Sequence, residues 1–264
     1  MSTGNHHWKS FADHWNRLGP PLRPGSEDVA IFRHLLGPAE GMNLLLGVTP
    51  ELSDFAQLIA VDNSAGMLAA VWPGNRPGRH AVQADWLDMP FANDMFDTIM
   101  ADGSFTTLDY PLQYDQLFAQ LQRVLKPGGR LVVRLFANSE VGESCAAVCH
   151  DAMAGRISGF HAFKWRLSMA VTTETGNPNL RVADTFDVFS RLLPDREQLA
   201  QASGWSMEDI ATMDFYRNAA ARYSYPALSR FRQIIPPGFR ETGLAHGSYE
   251  LAERCPILSL ERIG

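Results

Sequence analysis

Nowhere does the 264-residue chain run to the ~18 uninterrupted apolar residues that could span a bilayer. Its start, MSTGNHHWKSFADHW, also lacks a basic segment leading into an apolar block, so a cytoplasmic protein with no membrane partner is expected. Positive charge is in short supply: 23 Lys and Arg face 29 Asp and Glu, for a net charge of −6. Non-specific affinity for nucleic acid comes from cations neutralising phosphates, so a small-molecule partner is expected and nucleic acid is not. Three cysteines, an odd number, make no disulfide framework. In CAAVCH (145–150), three residues separate the cysteines where covalent haem attachment wants two. Cys145 and Cys149 instead fall one helical turn apart and read as a buried pair. No paired ligand clusters suggest zinc, and no metal is expected. Repeats and low-complexity tracts are missing as well.

What is present is enough apolar sequence, 45% against 20% charged, to bury the core of one enlarged domain spanning 1–264. NLLLG (43–47), LIAVD (58–62), HAVQAD (80–85), FDTIMAD (96–102) and RLVVRLFA (130–137) are continuous rather than alternating, the pattern of strands buried on both faces. Tyr114, Leu117, Phe118, Leu121, Val124 and Leu125 keep the three-and-four spacing of a helix, which KPGG (126–129) should end. Strands alternating with helices predict an α/β, doubly wound, mostly parallel sheet.

Beyond Asn138 the alternation stops. About 55 residues separate the fifth strand from the helix start at PDREQLAQASGW (194–205), longer than an ordinary connection, and 139–193 is expected to be an inserted cap. SMEDIATMDFY (206–216) and CPILSLERI (255–263) are expected to form a terminal strand pair, with the aromatic and basic segment 217–254 between them as a second lid. At the other end, Trp8, Phe11, Trp15 and Leu18 are spaced as a helical stripe, and 1–38 is read as an N-terminal helical lid followed by a loop at the site's mouth.

In an open parallel sheet, ligands lie outside the carboxyl ends of the strands, so the residues that close each apolar run carry the functional weight. Gly47 follows the first strand, with Thr49 and Pro50 reading as the cap and first residue of a short helix. A dinucleotide fold wants several glycines here, one of them for close approach to a pyrophosphate. A ligand without phosphates removes that demand. Asp62 closes the second strand, where a carboxylate can accept from two ribose hydroxyls; Asp85 and Trp86 follow the third, where they can meet an exocyclic amine and cover a purine. Asp102, Gly103 and Ser104 follow the fourth, where a carboxylate can face an ammonium group.

LLLGVTPEL, AVDNSAGML, ADWLDMPFANDMFDTIMADGS and LQRVLKPGGRLVVRLF together resemble the successive motifs of class I S-adenosylmethionine-dependent methyltransferases of the Rossmann-like superfamily, over roughly residues 40–137. The resemblance implies a seven-stranded sheet with an antiparallel last strand, and S-adenosylmethionine as cofactor. By position it carries Gly47 to the methionine moiety, Asp62 to the ribose, Asp85 and Trp86 to the adenine and Asp102 to the methionine end, with Thr49, Asn63, Met67 and Gly103 beside them. The first motif departs from the family, because Val48 and Pro50 stand where flexible glycines are usual.

Methyl transfer from a sulfonium is an in-line displacement, which asks the protein to align a nucleophile and exclude water. A hydroxyl or protonated amine acceptor would profit from a general base, for which His150, His161 and His246 are the candidates in the inserted regions, each equally compatible with a surface or satisfied core role. Tyr223 and Tyr225 are candidate walls of an acceptor pocket, and Arg23 a contact for an acidic substrate. The reading is thus a transferase acting on O or N of a small molecule, as monomer or homodimer. The alternatives are a catalytically silent cofactor-binding partner subunit and an NAD(P)-dependent oxidoreductase on the same sheet.

Overall fold

The computed structural model describes Trp15 and residues 18–264; Trp8 and Phe11 of the N-terminal stripe lie outside them. Five strands run parallel: β1 (Asn43–Leu46), β2 (Leu58–Asp62), β3 (Arg79–Gln83), β4 (Phe96–Asp102) and β5 (Leu125–Arg134). They match the apolar runs because both faces of the sheet are covered: Leu44, Leu45, Ile99, Met100, Leu131 and Val132 are all fully buried. The sheet has seven strands in the order β3-β2-β1-β4-β5-β9-β8, with β9 (Ile257–Arg262) antiparallel to both β5 and β8 (Phe239–Ala245). On one face lie helices α1 (Ser26–Leu36) and α2 (Ala65–Ala70), burying Phe32, Leu36 and Met67; on the other, Phe118 of α3 (Leu112–Val124) packs with Phe105 and Phe231. No described helix is long and apolar enough to cross a membrane.

Helix α3 ends at Val124, yet KPGG is not a free turn. It is a bulge inside β5, where the register moves from Phe96 opposite Leu125 to Thr98 opposite Arg130. Gly128 takes φ +76° there.

The excursion from the sheet is longer than the expected 139–193. The chain departs at Asn138 and returns at Ala227, and the two residues are bridge partners. Between them come α4 (Cys145–Met153), α5 (Phe160–Thr175), β6 (Asn179–Arg181), α6 (Val182–Leu192), α7 (Arg196–Ser203), α8 (Met207–Ala211) and β7 (Arg222–Ser224), which pairs antiparallel with β6. This cap has its own core, in which Phe160, Phe163, Phe189 and Trp205 meet. The segment 206–216 belongs to it and is helical, not a strand: Ser206 caps α8 by accepting from Asp209 N, and Ile210 and Met213 are buried at helical spacing. The strand that pairs with β9 is therefore β8, from the segment expected to be a second lid. Cys145 and Cys149 are buried on α4, and burial pushes both thiols up, to about 12 and about 11.

Candidate functional site

A cavity of about 280 Å³ opens at the carboxyl edge of the sheet, between the ends of β1, β2 and β4 and the cap. Parallel strands present their carboxyl ends to one edge, so residues far apart in sequence converge there by topology alone.

The first side of the cavity is made by the sheet. Gly47 takes φ +94° and donates its N–H to Val61 O, which turns the chain sharply at the end of β1. A Cβ at this position would stand 3.9 Å from the Trp86 ring and 4.0 Å from Asp62 Oδ2, inside the space that those two groups frame. Trp86 is pinned by its indole N–H, which donates to Val61 O at 2.7 Å. Asp62 accepts from Ser64 N through Oδ1 at 2.8 Å, and Ser64 in turn caps α2. No hydrogen bond within the described structure engages Oδ2. Asp62 is 8% exposed, and burial pushes its carboxyl up to about 6, against the pull of the Ser64 N–H. Asn63 and Met67 line the cavity beside it; Asp85 does so at the rim, holding Leu87 N in a turn.

Asp102, Gly103 and Ser104 form the floor. Ser104 Oγ donates to Leu46 O, tying the end of β4 to the end of β1. Gly103 has φ +65°, and a Cβ on it would run into the Phe136 ring. Glycine is required here both for its backbone and for the approach of that ring. Asp102 is paired through Oδ1 with Arg134 Nε at 2.6 Å, and the guanidinium is completely buried.

The opposite wall comes from the cap. Phe136 stacks on Trp165 with centroids 4.5 Å apart, and Trp165 stacks on Tyr223 at 5.9 Å. Leu108, Thr106, Thr107, Ala221 and Arg222 complete that half; Arg222 pairs with Asp109 at 2.8 Å. Trp15 and Leu22 reach the mouth from the N-terminal segment.

The expected cofactor residues Gly47, Thr49, Asp62, Asn63, Met67, Asp85, Trp86, Asp102 and Gly103 all line this one cavity, as does Tyr223. Other expectations need correction. Thr49 makes no cap bond: Pro50–Leu52 is a single 3-10 turn, too short for a helix dipole, and the Thr49 hydroxyl instead lies 3.5 Å from Asp102 Oδ2. None of the three histidines lines the cavity. His150 is on the exposed face of α4 beside Arg156, His246 is exposed at the end of β8 with Nδ1 against Gly247 O, and His161 sits in the first turn of α5, one turn before the Trp165 that does face it. Arg23 is spent on an ion pair with Glu51 below the mouth. Tyr225 is buried behind Trp165, edge to face at 5.0 Å, and burial drives both its phenol and that of Tyr223 far above the ordinary range. Both phenols therefore keep their protons and do not act as bases, and of the two only Tyr223 is a wall residue.

Missed from sequence were Phe136, Trp165, Arg222 and Arg134. For two of them a signal existed: Phe136 stands near the end of an apolar run, and Arg134 is a charge inside it. Trp165 is hidden in the all-round burial of α5, which gives no face to read.

Residues 39–133 match the family described as "Methyltransferase domain". The demethylmenaquinone methyltransferase of Renibacterium salmoninarum is 28% identical over 164 residues, taking in 61% of this chain and 60% of that one, so the match spans less than two-thirds of that relative's length. Among solved structures, a Rhodobacter sphaeroides protein described as a Zn-dependent alcohol dehydrogenase superposes with TM-score 0.63 at 10% identity, covering 99% of both chains. Burkholderia thailandensis 1,6-didemethyltoxoflavin-N1-methyltransferase does so with TM-score 0.53 at 12% identity, over 98% of this chain and 88% of that one. At such identities the structures speak for the fold; among the described residues no three His, Cys, Asp or Glu side chains gather as metal ligands. Residues 39–133 thus match a methyltransferase domain, and the sheet they build, with its antiparallel last strand, is the fold expected of one.

Proposed function

We propose that this chain moves a methyl group from S-adenosylmethionine to an oxygen or nitrogen of a small-molecule acceptor held between the sheet edge and the cap. The observation that carries this reading is the convergence of Gly47, Asp62, Trp86 and Asp102 on one cavity, with Asp62 Oδ2 left free. Bound there, the cofactor supplies an electrophilic methyl on a sulfonium. Asp62 holds the ribose hydroxyls, Trp86 covers the adenine with Asp85 at its edge, and Asp102 faces the amino-acid end beside Gly47. Phe136, Trp165 and Tyr223 form the apolar wall that positions the acceptor and keeps water from the methyl group. An in-line displacement needs alignment above all, so walls that take up no proton suit it. The name of the demethylmenaquinone-methylating relative is consistent with a small-molecule acceptor.

Calorimetric titration with S-adenosylmethionine, S-adenosylhomocysteine, NAD and NADP tests the reading. Binding of the first two is expected. Tight binding of a nicotinamide dinucleotide instead would establish the oxidoreductase alternative.

Gly47→Ala provides a second check. The methyl group both forces a non-glycine residue to φ +94° and fills the space between Trp86 and Asp62. Stability should fall by about 1–2 kcal/mol, and affinity for S-adenosylmethionine by tenfold or more on the order of one lost contact, as measured by melting and by titration.

A further inference from the structure

Behind the floor of the cavity lies a buried charge cluster that the proposed function does not use. Arg134 is fully buried and faces two carboxylates: Nε donates to Asp102 at 2.6 Å and Nη1 to Asp28 at 3.4 Å. Asp28 is itself fully buried on the first turn of α1, where its Oδ2 also accepts from Gly25 N. Tyr249 closes the set, its hydroxyl donating to Asp28 Oδ1 at 3.0 Å and accepting from Arg134 Nη1 at 3.2 Å. The other charged or titratable groups that face Asp102 and its guanidinium are Glu51, already held by Arg23, and the Cys255 thiol.

Formal charge in this cluster does not cancel. One guanidinium stands between two carboxylates, leaving one negative charge in excess, buried except where Asp102 meets the cavity. An uncompensated buried charge costs several kcal/mol unless a partner or a proton neutralises it. Only Asp102 of the three reaches the cavity, and its Oδ2 is on the side away from Arg134, near Thr49. A cation that compensates the excess has one way in, through the cavity to Asp102.

We infer that the Asp28–Arg134–Asp102 cluster is built one cation short so that the ammonium group of the bound cofactor completes it, which makes Asp28 a positioning residue for a ligand it never touches. Asp28 holds Arg134 against the back of Asp102 and supplies the excess charge; Asp102 presents that excess to the amino-acid end of the cofactor. Burial pushes the Asp102 carboxyl up despite the Arg134 guanidinium beside it, so a cation arriving at Asp102 favours its ionised form. This inference rests on the cofactor reading above.

The test compares S-adenosylhomocysteine with its analogue lacking the α-amino group, titrated into the wild-type protein and into Asp28→Asn. Asparagine keeps an oxygen for Gly25 N and removes the charge. Wild type should prefer the amino-bearing ligand by about tenfold or more, and Asp28→Asn should shrink that preference roughly fivefold while leaving affinity for the deaminated analogue unchanged. Equal loss for both ligands would mean that Asp28 is merely structural and would overturn the inference. So would no loss for either. Should Asp28→Asn fail to fold, the wild type alone decides: binding both ligands with no preference for the amino-bearing one overturns the inference. Wild type that binds neither ligand refutes the cofactor reading itself, a distinct result.

Discussion

Asp62→Asn is expected to weaken S-adenosylmethionine binding thirty- to a hundredfold while making the empty protein more stable. On the proposed function the loss, about 2–3 kcal/mol, would be that of two charge-assisted hydrogen bonds to the ribose. The gain follows from the cost of the buried charge. In the folded protein the Asp62 carboxyl is pushed up to about 6, above its ordinary 3.8. The unfolded chain is therefore the better acid, and the ionised side chain costs the fold up to about 2–3 kcal/mol at neutral pH. That cost fades as pH falls from 6 toward 4. Asparagine retains the bond from Ser64 N without the charge, so thermal unfolding at pH 7.5 should show stabilisation that vanishes near pH 4. Cofactor affinity of the wild type should in turn fall below pH 6, as the carboxylate takes up its proton. A folded Asp62→Asn protein with undiminished affinity would remove Asp62 from the site.

Lys164→Met should also stabilise, and more strongly. Lys164 lies within the cap core, 2% exposed, with Thr212 Oγ1 at 3.1 Å and the rings of Phe160 and Tyr216 on either side. Burial pulls its amine down to about 7, opposed only by the more distant Asp209. A depressed folded value means that the cost of burying the ammonium is fully present at and below pH 7, and shrinks as pH rises toward the ordinary 10.5. Methionine fills a similar volume with no charge to bury, and the net gain should be on the order of 3 kcal/mol at pH 6.5. Near pH 10 it should be small. Denaturant unfolding at both values measures this, and a variant that is less stable at pH 6.5 would show that the two rings and the Thr212 hydroxyl outweigh the burial cost.

The sheet was legible because its strands are buried on both faces, which leaves an unbroken apolar run as the trace of each. β8 left no such trace: it is an edge strand whose Arg240, Glu241 and Thr242 face solvent, and Gly243 interrupts it. The segment 206–216 misled for a related reason, since its short helix and 3-10 turn bury too few residues to establish a period. The strand-end lining of the cavity was legible residue by residue, because strand ends converge wherever the sheet is parallel. The acceptor half was not. Its wall depends on how the cap settles over the sheet, and a stacked pair such as Phe136 and Trp165, 29 positions apart, has no signature in spacing. Histidines chosen for their chemistry alone fell outside the cavity, because nothing in the sequence said which face of α4 or α5 would look inward.

The cap begins and ends at one point of the sheet, where Asn138 meets Ala227 and its N–H reaches Pro226 O. A polypeptide that departs and comes home at adjacent bonds can be exchanged for another of different length without stretching the scaffold beneath. The strand-end framework and the cap are thus separable in heredity: on the function proposed above, recombination at this single doorway would change the acceptor while leaving the donor site fixed.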